Sequence, residues 1–203
     1  MIVHHFTTPI TTPFARKSTQ IYGDLHRFWE KAKIKESAKK PEITGLYRLI
    51  KGYKIMIKIL FVCHGNICRS TLAQSVFTHK VASQGLSAHF LIDSAATSTE
   101  EIGNPPHRGT VNKLRKVGIP LVPHRARQVT WADYEKFDYI IGMDSANIRN
   151  LNRMLKGDPE GKIYKFLTFA GSDRDIADPW YTGNFDATYE DVLEGCVGFL
   201  AYL

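Results

Sequence analysis

Residues 57–70 read IKILFVCHGNICRS, and no other stretch constrains the fold as tightly. The apolar run Ile57, Ile59, Leu60, Phe61, Val62 has the near-continuous hydrophobicity of a strand buried on both faces of a parallel sheet. It ends at Cys63. His64, Gly65, Asn66, Ile67 and Cys68 follow, then Arg69 and Ser70, and beyond Ser70 the spacing turns helical. A strand, a tight turn and a helix in that order make a cradle for an oxyanion. Successive backbone N–H groups in the turn form a concavity. The helix N-terminus behind them adds unpaired N–H groups and the positive end of its dipole. Arg69 brings a planar fork that can hold two oxygens at once. The same positive field favours the thiolate of Cys63, which is the nucleophilic form. Gly65 lets the backbone turn where a side chain would obstruct it. The plainer alternative is a buried structural Cys at a strand end with a solvated Arg nearby.

The rest of the chain repeats the strand–helix alternation. A helix is expected over 70–84, with Leu72, Ala73, Val76, Phe77 and Val81 inward and Gly85 as its stop. A second strand is expected over 88–93, with 94–98 as a loop at its end. Pro105 and Pro106 precede a helix to about Val117. Thr130 is set to cap a short helix. A third strand covers 139–143, a helix 145–155, and a short fourth strand 162–167. A loop from Thr168 to Asp186 leads to a final helix from about Thr188, with Val192, Leu193, Cys196, Phe199 and Leu200 inward. This pattern means βαβ units and a three-layer α/β/α sandwich on a four-stranded parallel sheet, with the phosphate-binding loop after the first strand. In such sheets the active crevice lies at the C-terminal strand ends. Cys63, Ser94 and Asp144 all fall at such ends.

Charge divides the chain. The net charge is +7. Residues 1–55 hold 11 Lys and Arg against 4 Asp and Glu, whereas residues 56–203 hold 16 of each. The basic character therefore belongs to the N-terminal part, and it argues no nucleic-acid role for the main domain. Only three cysteines occur, Cys63, Cys68 and Cys196, which suits a reducing, cytoplasmic setting rather than a disulfide framework. Metal ligation by Cys63, His64 and Cys68 lacks a fourth ligand at usual spacing, so no metal or cofactor is expected. No apolar run approaches the length of a membrane span.

Residues 1–55 read as a basic extension ahead of a complete domain at 56–203. Ile21, Leu25, Phe28 and Ala32 recur at helical spacing with lysines on the other face, and Ile43, Leu46, Tyr47, Ile50 and Tyr53 make a second amphipathic run. Three readings stay open for this part: a membrane-surface or partner-binding arm, a loosely ordered tail, and a natural start at Met56. No secretory signal pattern is present at the N-terminus.

Five segments make the domain recognisable: VCHGNICRS (62–70), DSAATS (93–98), HRARQ (124–128), FDYIIGMD (137–144) and DPWY (178–181). Together, in this order and spacing, they resemble the low-molecular-weight protein tyrosine phosphatases. The resemblance covers residues 56–203 and none of 1–55. It implies that Cys63 is the nucleophile that forms a phosphocysteine, that Arg69 clamps the phosphate, and that Asp178 is the general acid and then the base. It implies that Ser70 hydrogen-bonds the thiolate, and that His64, Gly65, Asn66, Ile67 and Cys68 line the phosphate loop. Asn66, Ser94 and His124 would hold that loop in shape, with Asp144 as a supporting carboxylate. Trp180 and Tyr181 would wall the pocket. It implies a phosphotyrosine protein or a small aryl phosphate as substrate; the sequence does not give the oligomeric state, and a monomer is the expectation.

The chemistry of phosphoryl transfer agrees, because positioning and charge stabilisation do most of the work and a phenolate gains from proton donation. Plainer readings stand beside these roles. Asp173, Arg174, Asp175 and Asp178 would equally suit a solvated charged loop, and His124 a satisfied structural histidine. The family often carries an aromatic about where Glu100 or Glu101 stands, so one wall is acidic here instead. A phosphoarginine phosphatase of the same fold is the runner-up, although that branch usually has Thr where Ile67 stands. A thiol-linked arsenate reductase would need further cysteines, and residues 129–195 contain none. A phosphate-binding module without turnover is the alternative outside enzymes. Cys68 beside Cys63 suggests a reversible loop disulfide that guards the nucleophile.

Overall fold

The computed structural model describes residues 56–203. The two amphipathic runs expected within residues 18–53 lie outside the described residues. The domain runs β1 (Ile57–Cys63), α1 (Arg69–Ser83), β2 (Phe90–Ala96), α2 (Arg108–Val117), α3 (Trp131–Lys136), β3 (Tyr139–Gly142), α4 (Ser145–Met154), β4 (Ile163–Lys165), α5 (Pro179–Thr182) and α6 (Phe185–Tyr202). Short 3-10 turns occupy Ser87–His89 and Phe166–Ala170.

The sheet has four strands in the order β2-β1-β3-β4, all parallel. β1 is central, and its side chains alternate between two cores. Ile59, Phe61 and Cys63 join Leu72, Val76 and Phe77 of α1 and Val192, Cys196 and Phe199 of α6. Leu60 and Val62 join Tyr134, Phe137, Leu151 and Leu155 around α3 and α4. Helices thus cover both faces, and this is why β1 is apolar at nearly every position. The chain leaves β1 for β2 on one side, and then crosses from β2 to β3 on the other side of β1. The crevice at the C-terminal ends of β1 and β3 is therefore the topological switch point where ligands bind in open α/β sheets.

Several boundaries differ from the sequence expectation. Ser94, Ala95 and Ala96 are strand rather than loop, because β2 continues in register beside β1, with Phe61 opposite Ser94 and Cys63 opposite Ala96. Their small side chains suit the crowded space under the loop, where Ser94 and Ala95 are fully buried. β4 is shorter than expected, since Phe166 turns into the core as part of a 3-10 turn. The last helix begins three residues early, at Phe185, because Asn184 caps it by accepting from the Ala187 N–H at 2.9 Å. The 168–186 segment also contains α5, with Asp178 as N-cap and Pro179 at the first helical position. The cap expected at Thr130 is present: its N–H donates to Asp133 Oδ2 at 2.8 Å.

Candidate active site

The loop between β1 and α1 wraps around the Cys63 sulfur. Sγ lies 3.1 Å from Ser70 Oγ and accepts the Asn66 backbone N–H at 3.3 Å. Asn66 has φ 59, the left-handed region that Asn tolerates better than most non-glycine residues. The N–H groups of Gly65, Ile67 and Cys68 make no hydrogen bond within the described residues. Cys68 is the N-cap of α1 and offers no side-chain cap bond. The first N–H groups of a fifteen-residue helix are therefore left to an anion.

A network behind the loop holds this shape, and Asn66 is its centre. Its Nδ2 donates to Ser70 Oγ and to Ser94 Oγ, both at 2.9 Å. Its Oδ1 accepts from His124 Nε2 at 2.7 Å and from the Arg127 N–H at 3.1 Å. Ser94 Oγ passes its own hydrogen to Gln74 Oε1 at 2.7 Å. The directions are determined. The Asn66 amide spends both hydrogens on the two hydroxyls, so Ser70 has its own hydrogen free for sulfur. His124 must carry its proton on Nε2. Burial lowers the pKa of His124 from its usual value, partly opposed by Asp93, which favours this neutral form. Arg127 is fixed in turn by Asp93 at 2.8 Å and Asp133 at 3.0 Å.

Arg69 is almost fully buried. Its Nη1 reaches Asp144 Oδ2 at 2.5 Å and the Ile176 carbonyl at 3.0 Å, and Nη2 reaches Asp178 Oδ2 at 2.5 Å. Burial alone would weaken its charge, but negative charge at Cys63 and Asp178, then Asp144, raises its pKa further above the usual value. Its Nε is buried and has no hydrogen-bond partner among the described residues. The acid segment is anchored along its length. Asp175 accepts from Ser145 and Lys165, and Arg174 pairs with Asp191 and Glu194 of α6. The neighbouring charges are therefore ties to the domain rather than a solvated run. Asp178 Oδ1 accepts the Trp180 N–H at 3.1 Å, which leaves Oδ2 for Arg69.

The loop opens into a cleft of about 90 Å³. Cys63, His64, Gly65, Ile67 and Cys68 line its floor. Asp178, Trp180 and Tyr181 line it as well, with Trp180 and Tyr181 largely exposed. Glu100 and Glu101 line it too, and Glu100 Oε2 lies 3.0 Å from His64 Nε2. A Cβ on Gly65 would sit 3.1 Å from Glu101 Cγ, so the glycine also makes room for this acidic wall. Burial, with the negative charges of Cys63 and Asp178 behind it, pushes the Cys68 thiol up to about 12. A larger cavity of about 270 Å³ lies between α2 and the start of α6, crossed by the Lys113–Asp186 pair at 2.7 Å. None of the residues singled out in the sequence lines it.

Every site residue implied by the family resemblance lies in this loop, its supporting network, the Arg69 seat or the cleft. Sequence reasoning missed Gln74, Arg127 and the Ile176 carbonyl, which complete the network and the arginine seat. It also missed His107, whose N–H donates to the Ile67 carbonyl at 2.8 Å. Arg127 sits within the HRARQ segment and so carried a signal; Gln74 and His107 carried none.

Residues 58–203 match the model of the low molecular weight phosphotyrosine protein phosphatase family. The chain is 43% identical over 148 residues to low molecular weight protein-tyrosine-phosphatase YfkJ of Bacillus subtilis, covering 72% of this chain and 95% of that protein. It is 42% identical over 149 residues to the low molecular weight phosphotyrosine protein phosphatase of Mus musculus, covering 70% and 92%. The crystal structure of YfkJ superposes with a TM-score of 0.70 over 72% of this chain and 94% of that one. A Drosophila arginine phosphatase superposes at 0.66 with 32% identity, over 72% and 97%. The chain belongs to the low molecular weight phosphotyrosine protein phosphatase family.

Proposed function

We propose that the protein hydrolyses phosphotyrosine, in a protein or in a small aryl phosphate, through a phosphocysteine on Cys63. The observation that carries this reading is Arg69. Its guanidinium is buried beside a loop of unpaired N–H groups, and its Nε–H lacks a partner that an oxyanion would supply. In the first step Cys63 Sγ attacks phosphorus and the ester P–O bond breaks. Asp178 gives its proton to the departing phenolate oxygen. In the second step water attacks phosphorus, the S–P bond breaks, and Asp178 takes the water proton. Ser70 donates to sulfur whenever it carries negative charge. Arg69 and the loop amides hold the equatorial oxygens, so the protein stabilises charge with preformed dipoles. The incoming phosphoryl group competes with Asp178 for Arg69, which frees the carboxyl to meet the leaving oxygen.

The test is hydrolysis of para-nitrophenyl phosphate without added metal. Turnover that survives a chelator and vanishes in Cys63→Ser supports the reading, and an inert wild-type protein would sink it. The arginine phosphatase neighbour keeps phosphoarginine as the second reading, and Ile67 on the cleft floor favours phosphotyrosine. Faster turnover of phosphoarginine peptides than of phosphotyrosine peptides would reverse that order. Among the described residues no helix is long and apolar enough to cross a membrane. We place the enzyme in the cytoplasm, as a monomer, from its three free thiols and its family. Residues 1–55 are a basic extension outside the catalytic domain, and the intact mass of the endogenous protein tests whether they are made.

A further inference from the structure

We propose that His107 is a positioning residue that sets the aromatic wall and the acid against the phosphate loop. It rests on the phosphatase reading above and concerns a residue that none of the motifs contains. His107 joins three parts of the molecule. Its backbone N–H donates to the Ile67 carbonyl, so it is pinned to the loop floor at 2.8 Å. Its Nδ1 accepts the Gly109 N–H at 3.0 Å and caps α2. Its ring lies flat on Phe185, with centroids 5.3 Å apart and planes 4° apart, and meets Trp180 edge-on at 5.8 Å and 72°.

The geometry is specific. With Nδ1 accepting, a neutral imidazole carries its proton on Nε2, so tautomer and ring plane are both set. Gly109 is required for the stack, because a Cβ there would fall 2.2 Å from the Phe185 ring. Trp180 is 57% exposed, and among the described residues its recorded ring contact is this histidine. The backbone N–H of Trp180 donates to Asp178 Oδ1 at 3.1 Å, in the first turn of α5 that Asp178 caps. The contact on the indole therefore bears on the carboxyl through the Trp180 backbone and that cap hydrogen bond. His107 touches no reacting atom; it acts through Trp180 on Asp178.

Two variants separate the ring from the cap. His107→Asn keeps an acceptor suited to the cap and removes the ring. His107→Phe keeps the ring and removes the acceptor. The assay compares kcat/KM on phenyl phosphate, whose leaving group needs protonation, with 2,4-dinitrophenyl phosphate, whose leaving group does not. Asn is expected to lose about 10-fold or more on phenyl phosphate, part of the acid's contribution, and less than about threefold on the dinitrophenyl ester. Phe is expected to keep the wild-type ratio between the two esters while melting lower. Phe185→Leu removes the stacking partner from the other side and is expected to copy the Asn pattern, which covers the case where His107→Asn does not fold. If the ring-removing variants slow both esters equally, or neither, His107 is merely structural and the proposal fails. A wild-type protein that hydrolyses neither ester, or a Cys63→Ser variant that hydrolyses both, overturns the phosphatase reading itself and the proposal with it.

Discussion

Asn66→Ala tests how the loop is held. The side chain is fully buried and makes four hydrogen bonds. Truncation leaves the His124 Nε2–H and the Arg127 N–H without their shared acceptor, at about 1–2 kcal/mol each. Alanine at φ 59 adds about 1 kcal/mol of backbone strain that asparagine partly escapes. The expected loss is roughly 4 kcal/mol, a large share of a typical 5–15 kcal/mol total. On a domain of this size that lowers the melting temperature by roughly 10–15 °C. Turnover should fall by about 10²-fold, because the loop amides and the Ser70 hydroxyl lose their common support. Thermal unfolding by circular dichroism and para-nitrophenyl phosphate hydrolysis read the two effects. A cycle with His124→Ala then isolates the shared bond: the double variant should lose at least about 1 kcal/mol less than the two singles summed. An Asn66→Ala protein that melts within about 3 °C of wild type, with turnover intact, would refute the reasoning.

Two further perturbations bear on stability and redox state. Burial pushes the Asp133 carboxyl up, but hydrogen bonds from Arg127 and Thr130 outweigh it and hold its pKa below the usual 3.8. Its contribution is therefore present at neutral pH and lost as pH falls below that value towards the depressed one. The urea-measured gap between wild type and Asp133→Asn should shrink in that acid window, and a constant gap contradicts the assignment. For Cys68, peroxide should oxidise Cys63 to a sulfenic acid that Cys68 then condenses to a disulfide with loss of water, so thiols restore activity. Because the Cys68 thiol is pushed up to about 12, this recovery should improve with rising pH and disappear in Cys68→Ala. Irreversible inactivation unchanged by that substitution would end the idea.

The catalytic loop was legible in the sequence because its logic is local. Strand, turn, Arg and helix follow one another within fourteen residues. Asp178 was legible through its Pro and two aromatics, although it stands 109 positions from the arginine it touches. What stayed hidden depends on packing between distant segments. Gln74 looks like any polar residue on a helix, and only the passage of β2 beside α1 brings it to Ser94. His107 follows a Pro-Pro pair and reads as a helix start, which it is; nothing local says that Phe185 and Trp180 will meet its ring. Ser94, Ala95 and Ala96 looked like loop because they lack bulk, and lack of bulk is what the space under the loop needs. Asp178 and Pro179 did carry a helix-start signal, and α5 is four residues long, too short for periodicity to add to it.

The polarity of the Asn66 network has one more consequence, for proton traffic. Hydrogens run outward from the Asn66 amide, one through Ser70 to sulfur and the other through Ser94 to Gln74. An amide at this junction does not titrate, so it breaks the wire that a chain of hydroxyls and an imidazole would otherwise form between Cys63 and His124. The back of the nucleophile is thereby insulated from the protein's own acids and bases. A proton lost by Cys63 has the cleft as its exit, where Asp178 and solvent stand, and the charge left on sulfur cannot be quenched from behind.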